Sequence, residues 1–284
     1  MFGRLTRLTM AQLDALATHC RTASGDHGYM IWRLWGAGPP VVLLHGGSGT
    51  WRHWVRNIFP LGDYFSVFAP DLPGFGDSDL PPGVDTAEAL ADITCEGLDL
   101  LVDPPTPVRL AGFSFGGIVA GLVAARLGPR VTTLVLCGPN GLGLPSAPRP
   151  ALERIPPDIS LAEEREIQRR NLGRLMLADP AKADELAVDV HMENLRRVRF
   201  RVGDIPESDV LRRALPQIRA RLVGIWGSED AFVGPHLEER RRVLSASHPD
   251  LDWRVIEGAG HWAIFEAADR VNPILLEVFG AVGA

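Results

Sequence analysis

The chain has 284 residues, a formal net charge of −6, and 46% hydrophobic against 23% charged residues. This balance suits one globular core with an insertion, and the acidic surplus excludes the basic face that a nucleic-acid partner needs. Three scattered cysteines (Cys20, Cys95, Cys137) with no C-x-x-C exclude a disulfide framework or a zinc pattern. No run reaches the roughly 20 apolar residues of a membrane span, and no signal-peptide pattern opens the chain, so a cytoplasmic protein without a membrane partner is expected.

Residues 10–20 follow Thr9, a candidate N-cap, and place Leu13, Leu16, Ala17 and Cys20 at helical spacing. The expected helix has an apolar face that packs on the body or on a second subunit, which leaves a homodimer open. Residues 29–35 read as a strand. Val41 to Leu44 is a continuous apolar run, as in a strand buried on both faces. A short helix over 51–60, a strand over 65–69 and a helix over 86–102 follow, then strand 108–112, helix 115–127 and strand 131–137. This alternation predicts an α/β protein: a mostly parallel twisted sheet with helices on both faces.

The alternation breaks at Gly138. Residues 138–157 are rich in Pro and Gly. Two helical segments come next, one from Ser160 with Glu163 at capping-box spacing, the other from Asp179-Pro180 with proline at the first helical position. Strand 221–226, helix 235–246, strand 252–256 and a helix after His261 resume the pattern. The expected division is a first core part, 1–138, a helical cap, 139–217, inserted after the sixth core strand, and a second core part, 218–284.

Gly112-Phe113-Ser114-Phe115-Gly116 lies between a strand and a helix. A serine on so sharp a turn has strained dihedrals, and side chains two positions to either side would collide with the backbone. A serine hydroxyl needs a base, and the base needs an orienting carboxylate. Gly227-Ser228-Glu229-Asp230 places a carboxylate just past a strand, on the ligand-binding edge of a parallel sheet. Asp230 is preferred to Glu229 because a shorter side chain suits a fixed contact. Gly258-Ala259-Gly260-His261 offers the base on a glycine-flexed loop. His45, His53, His191 and His248 lack that setting and are expected at the surface or in caps. His45-Gly46-Gly47 leaves a strand on a tight turn, so the Gly47 and Phe115 N–H groups could face the oxyanion of a tetrahedral intermediate. Trp51, Phe113 and Trp262 flank these motifs as candidates for an apolar substrate pocket.

With Asp71-Leu72-Pro73-Gly74-Phe75-Gly76-Asp77-Ser78 added, these pieces stand in an order that resembles the serine hydrolases of the α/β-hydrolase family. Dehalogenases and epoxide hydrolases of this fold carry an aspartate nucleophile, which Ser114 argues against. The resemblance implies a Ser114–Asp230–His261 triad, an acyl-enzyme, a small-molecule substrate and no metal or organic cofactor. A hydrophobic ester is the expected substrate. Gly260-His261-Trp262-Ala263, with Glu266, Ala268, Asp269 and Asn272, is also similar to the C–C bond hydrolases that split ring-cleavage dienoates. Those enzymes carry Asn before the serine, where this chain has Phe113. They also use a cap arginine, whereas Arg196, Arg197, Arg199 and Arg201 read as a solvated helix face. A third reading is a non-catalytic small-molecule binding protein of the same fold.

Overall fold

The computed structural model describes residues 9–25 and 28–281, so the outer ends of the expected core parts, 1–8 and 282–284, lie outside the described residues. In chain order the elements are α1 (Met10–Ala15), β1 (Thr18–Ala23), β2 (Tyr29–Trp35), β3 (Pro40–Leu44), α2 (Ile58–Gly62), β4 (Ser66–Pro70), α3 (Ala87–Leu101), β5 (Val108–Phe113), α4 (Phe115–Leu127) and β6 (Val131–Cys137). Helices α5 (Leu161–Leu175), α6 (Glu185–Leu195) and α7 (Val210–Ala214) come before the sheet resumes. The chain then runs through β7 (Arg221–Gly227), α8 (Leu237–Ser247), β8 (Asp252–Ile256), α9 (Ala263–Glu266) and α10 (Ala268–Phe279).

The eight strands form one sheet in the order β1-β2-β4-β3-β5-β6-β7-β8. From β4 onward every pairing is parallel, and only β1 with β2 and β2 with β4 are antiparallel. Side chains alternate between the two faces. Val42, Leu44, Leu110, Leu134, Leu136 and Leu222 pack under α3 and α4. Val41, Leu43, Ala111, Val135, Val223 and Ile225 pack against residues of α2 and α10. Both faces are covered, which is why the central strands are continuous apolar runs.

The first helix is shorter than its periodicity predicts. It ends at Ala15, and Thr18 to Ala23 pair with β2 from Thr18↔Leu34 to Ala23↔Tyr29. The β-branched Thr18 and Thr22 favour the ladder that the edge of β2 offers, and the Thr22 hydroxyl accepts the Trp32 indole N–H at 2.9 Å. Cys20 therefore lies on a strand.

Between β6 and β7 the Ser160–Glu163 capping box starts α5 as read from the sequence. Asp179-Pro180 starts only a 3₁₀ turn, and α6 begins later, capped by Asp184 on the Ala187 N–H at 2.9 Å. Since α6 stops at Leu195, the arginines that follow do not continue a helix, although Arg196, Arg199 and Arg201 are exposed as expected. Val198 bridges Phe75, and the Arg199 and Phe200 N–H groups donate to the Gly74 carbonyl at 2.8 and 3.0 Å. Arg197 pairs with Asp77 at 2.5 Å, and Arg199 donates to the carbonyls of Gly76 and Ser78.

Candidate active site

Parallel strands end at one edge, so the loops after β3, β5, β6, β7 and β8 converge there. Ser114 follows β5 directly. Its φ is +52° and its ψ −122°, a conformation that costs a non-glycine residue about 1–3 kcal/mol. The Ser114 N–H holds the turn on the Cys137 carbonyl at 2.8 Å. The two flanking glycines are steric necessities: a Cβ on Gly112 would lie 2.3 Å from the Gly116 carbonyl oxygen, and one on Gly116 would lie 2.2 Å from that of His45.

The hydroxyl so presented lies 2.9 Å from His261 Nε2, and His261 Nδ1 lies 2.8 Å from Asp230 Oδ2. A carboxylate only accepts, so Nδ1 carries the proton and Nε2 is free to accept from the serine. Asp230 and His261 are buried. The second oxygen of Asp230 takes the Phe232 N–H at 2.9 Å, which fixes the carboxylate plane. Glu229, the competing acid, is exposed. Serine, imidazole and carboxylate, distant in sequence, thus form one hydrogen-bonded chain.

The turn after β3 packs on this elbow. A Cβ on Gly46 would lie 3.2 Å from Ser114 Cβ, and one on Gly47 would lie 3.5 Å from Phe115 Cβ. Among the described residues, neither the Gly47 nor the Phe115 backbone N–H has an intramolecular acceptor. Two histidines fix Gly46. His45 Nδ1 donates to its carbonyl at 2.9 Å, and His53 Nδ1 accepts its N–H at 3.1 Å. His45 Nε2 in turn accepts the Leu72 N–H at 2.9 Å. Both side chains are buried, against the expectation of surface or capping roles, because each satisfies backbone groups in the turn. His248 keeps a capping contact on the Leu215 carbonyl, and the half-buried His191 pairs with Gln168.

The three aromatic candidates prove to be core residues. Trp51 is fully buried and packs on Trp35 at 5.3 Å. Trp262 is buried, donates its indole N–H to the His53 carbonyl at 3.1 Å and stacks on Phe265. Phe113 is buried too, with its ring 5.1 Å from the His261 imidazole. The indoles fill space around the 3₁₀ turn Trp51–Trp54 because they are the largest apolar side chains available there. Sequence reasoning missed the half-buried Phe232, whose ring is 4.3 Å from that of His261. It also missed Val202, whose methyl borders Gly47. Phe232 is two residues from Asp230, a signal that was available; Val202 carries none. Glu266 accepts the N–H groups of Gly260 at 2.6 Å, Ala178 at 3.1 Å and Asp179 at 2.8 Å, and so fastens the His261 loop to the segment before α6.

A profile of the Alpha/beta hydrolase family matches residues 41–274, a span that contains all three side chains and the Gly46-Gly47 turn. The chain belongs to that family. It is 30% identical over 262 residues to a 2-hydroxy-6-oxo-6-phenylhexa-2,4-dienoate hydrolase of Burkholderia cepacia, covering 85% of this chain and 88% of the relative. Among solved structures it is similar to a meta-cleavage product hydrolase of Pseudomonas fluorescens (TM-score 0.72, 22% identity, 93% of this chain and 97% of that one). It is also similar to a thermophilic esterase of Thermogutta terrifontis (TM-score 0.68, 24% identity, 94% and 100%). The protein is a hydrolase with the α/β-hydrolase fold, and among its described residues no helix is long and apolar enough to cross a membrane.

Burial holds three imidazoles of this hydrolase below their ordinary pKa: His45, His53 well below, and His191 down to about 4. The unfolded chain takes up these protons near pH 6.5, whereas the folded chain does so only at lower pH. Stability that is fully present above that value is therefore lost progressively as pH falls below it, for His191 down to about 4. The urea midpoint should drop steadily across this window, and a flat midpoint would show that the three rings are protonated in the native state.

Proposed function

We propose that this hydrolase cleaves a small to medium hydrophobic carboxylic ester through an acyl-enzyme, with Ser114, His261 and Asp230 as its triad. The observation that carries the reading is the unbroken Ser114–His261–Asp230 hydrogen-bonded chain beside two uncommitted backbone N–H groups. Ser114 Oγ attacks the carbonyl carbon as its proton passes to His261 Nε2, and Asp230 stabilises the imidazolium. The carbonyl electron pair becomes an oxyanion facing the Gly47 and Phe115 N–H groups; one such donor is typically worth about 2.7–4 kcal/mol of the barrier. Collapse expels the alcohol with the proton from His261. Water then gives a proton to His261, attacks the Ser114 ester and releases the acid. Residues 139–217 act as the cap over this edge, and Phe232 and Val202 border the reacting group.

A second reading, C–C bond hydrolysis of a dienoate, is favoured by the names of the similar curated proteins. Ester cleavage ranks first because a dienoate carboxylate calls for a cation beside the serine. Phe113 precedes Ser114, His53 is held neutral by burial, Arg196, Arg197 and Arg199 are committed elsewhere, and Arg201 is exposed to solvent. Side-by-side assays of p-nitrophenyl butyrate and 2-hydroxy-6-oxo-6-phenylhexa-2,4-dienoate should give the higher kcat/KM for the ester. The reverse order would transfer the assignment to C–C cleavage. Failure of Ser114 to react with a fluorophosphonate would favour a binding protein.

A further inference from the structure

A cleft of about 400 Å³ opens where α1, the 3₁₀ turn Trp51–Trp54 and helices α5 and α6 meet. It shares no residue with the triad or with the turn carrying Gly47. Its lining holds three arginines and three carboxylates, and most of that charge is already matched. Arg165 pairs with Asp189 at 2.6 Å, Arg196 with Glu193 at 3.4 Å, and Asp14 with Arg33 at 2.5 Å. Arg52 is the exception.

Arg52 is only 8% exposed, yet among the described residues no carboxylate reaches it in an ion pair, and Asp71 and Asp14 act on it only at longer range. Its buried Nε donates to nothing, and its Nη1 finds only the Thr50 hydroxyl at 3.4 Å. The guanidinium rests on the Trp51 ring, 5.0 Å from the centroid. Arg33, 5.3 Å from the same ring, shows what a buried guanidinium ordinarily receives: Asp14, Asp71 and Asp77. Burial lowers the pKa of Arg52, the direction expected of a cation whose desolvation is poorly repaid. A guanidinium has five N–H donors in a planar fork, and leaving them unmatched in a buried site is costly.

We propose that this cleft is a binding site for a small organic monocarboxylate, held through its two oxygens by Arg52 with its apolar tail against Met10, Leu161 and Met192. The fork geometry suits a planar carboxylate. A dianion such as phosphate would confront Asp14, Asp189 and Glu193 with only one uncommitted cation to offset it. Because the walls come from α1, the core turn and two helices of the segment between β6 and β7, an occupant ties that segment to the body. The native state should therefore be stabilised by ligand, since nothing equivalent exists in the unfolded chain.

Butyrate, butyramide and inorganic phosphate, titrated into the full chain with calorimetry and thermal melts, test the assignment. Butyrate should bind and raise the melting temperature, while butyramide and phosphate should not. Crystals soaked in 4-bromobutyrate should show bromine between Met10 and Met192. Arg52→Gln should weaken butyrate binding at least tenfold. Ala11→Trp, which fills the mouth of the cleft and leaves Arg52 intact, should do the same and serves if Arg52→Gln does not fold. Bromine only outside the cleft, unchanged butyrate affinity in either variant, or phosphate binding as tightly as butyrate would each overturn the proposal.

Discussion

Ser114→Ala is expected to reduce turnover by about 10⁴- to 10⁶-fold, the range in which removal of a nucleophile leaves only binding and oxyanion stabilisation. The fold should survive. The Ser114 side chain makes one hydrogen bond, to His261, while the turn is held by the Ser114 N–H on Cys137 and by the packing of Gly112 and Gly116. Circular dichroism and the melting temperature should match those of the parent, and fluorophosphonate labelling should disappear. Retention of parental kcat in a correctly folded Ser114→Ala protein would remove Ser114 from the mechanism, whatever the substrate.

Gly116→Ala should severely impair folding. The added methyl would sit 2.2 Å from the His45 carbonyl oxygen and 2.5 Å from that of Leu44. Both are backbone atoms at the end of a central strand and cannot move without shifting β3 against β5. Overpacking of a flexible side chain commonly costs about 1–3 kcal/mol, and a clash with fixed backbone exceeds that range. The variant should appear in the insoluble fraction or show a greatly reduced urea midpoint. Gly47→Ala is the matched control, because its methyl would meet only a Val202 methyl at 3.3 Å and Phe115 Cβ at 3.5 Å. A soluble Gly116→Ala protein with the parental midpoint would mean that the elbow is not packed as described.

Much of this arrangement was legible in the chain itself. Strands such as Val41 to Leu44 announce themselves because burial on both faces demands unbroken apolar residues. Ser114, Asp230 and His261 stand out because each follows a strand and has glycine nearby, which is what sharp turns at a sheet edge require. What stayed hidden depends on distant partners. The pairing of β1 with β2 overrode a helical spacing in residues 10–20. The burial of His45 follows from the N–H of Leu72, 27 positions away. The arginines after α6 are largely exposed, as their charge predicts, but the Gly74 carbonyl, on another loop, takes the N–H groups of Arg199 and Phe200 and holds that segment off a helical path. Trp51 and Trp262 look the same in sequence whether they line a pocket or fill a core, and here packing decided for the core.

The carboxylate of Glu266 takes one N–H from the loop bearing His261 and two from residues 178 and 179, and the Trp262 N–H reaches the Met176 carbonyl at 2.8 Å. Charge-assisted bonds of this kind are each worth about 1.5–3 kcal/mol. The segment between β6 and β7 is thus riveted at residues 176–179 to the same loop that aims the imidazole. Removing that one carboxylate would orphan three backbone N–H groups at once and slacken the loop on which the base depends.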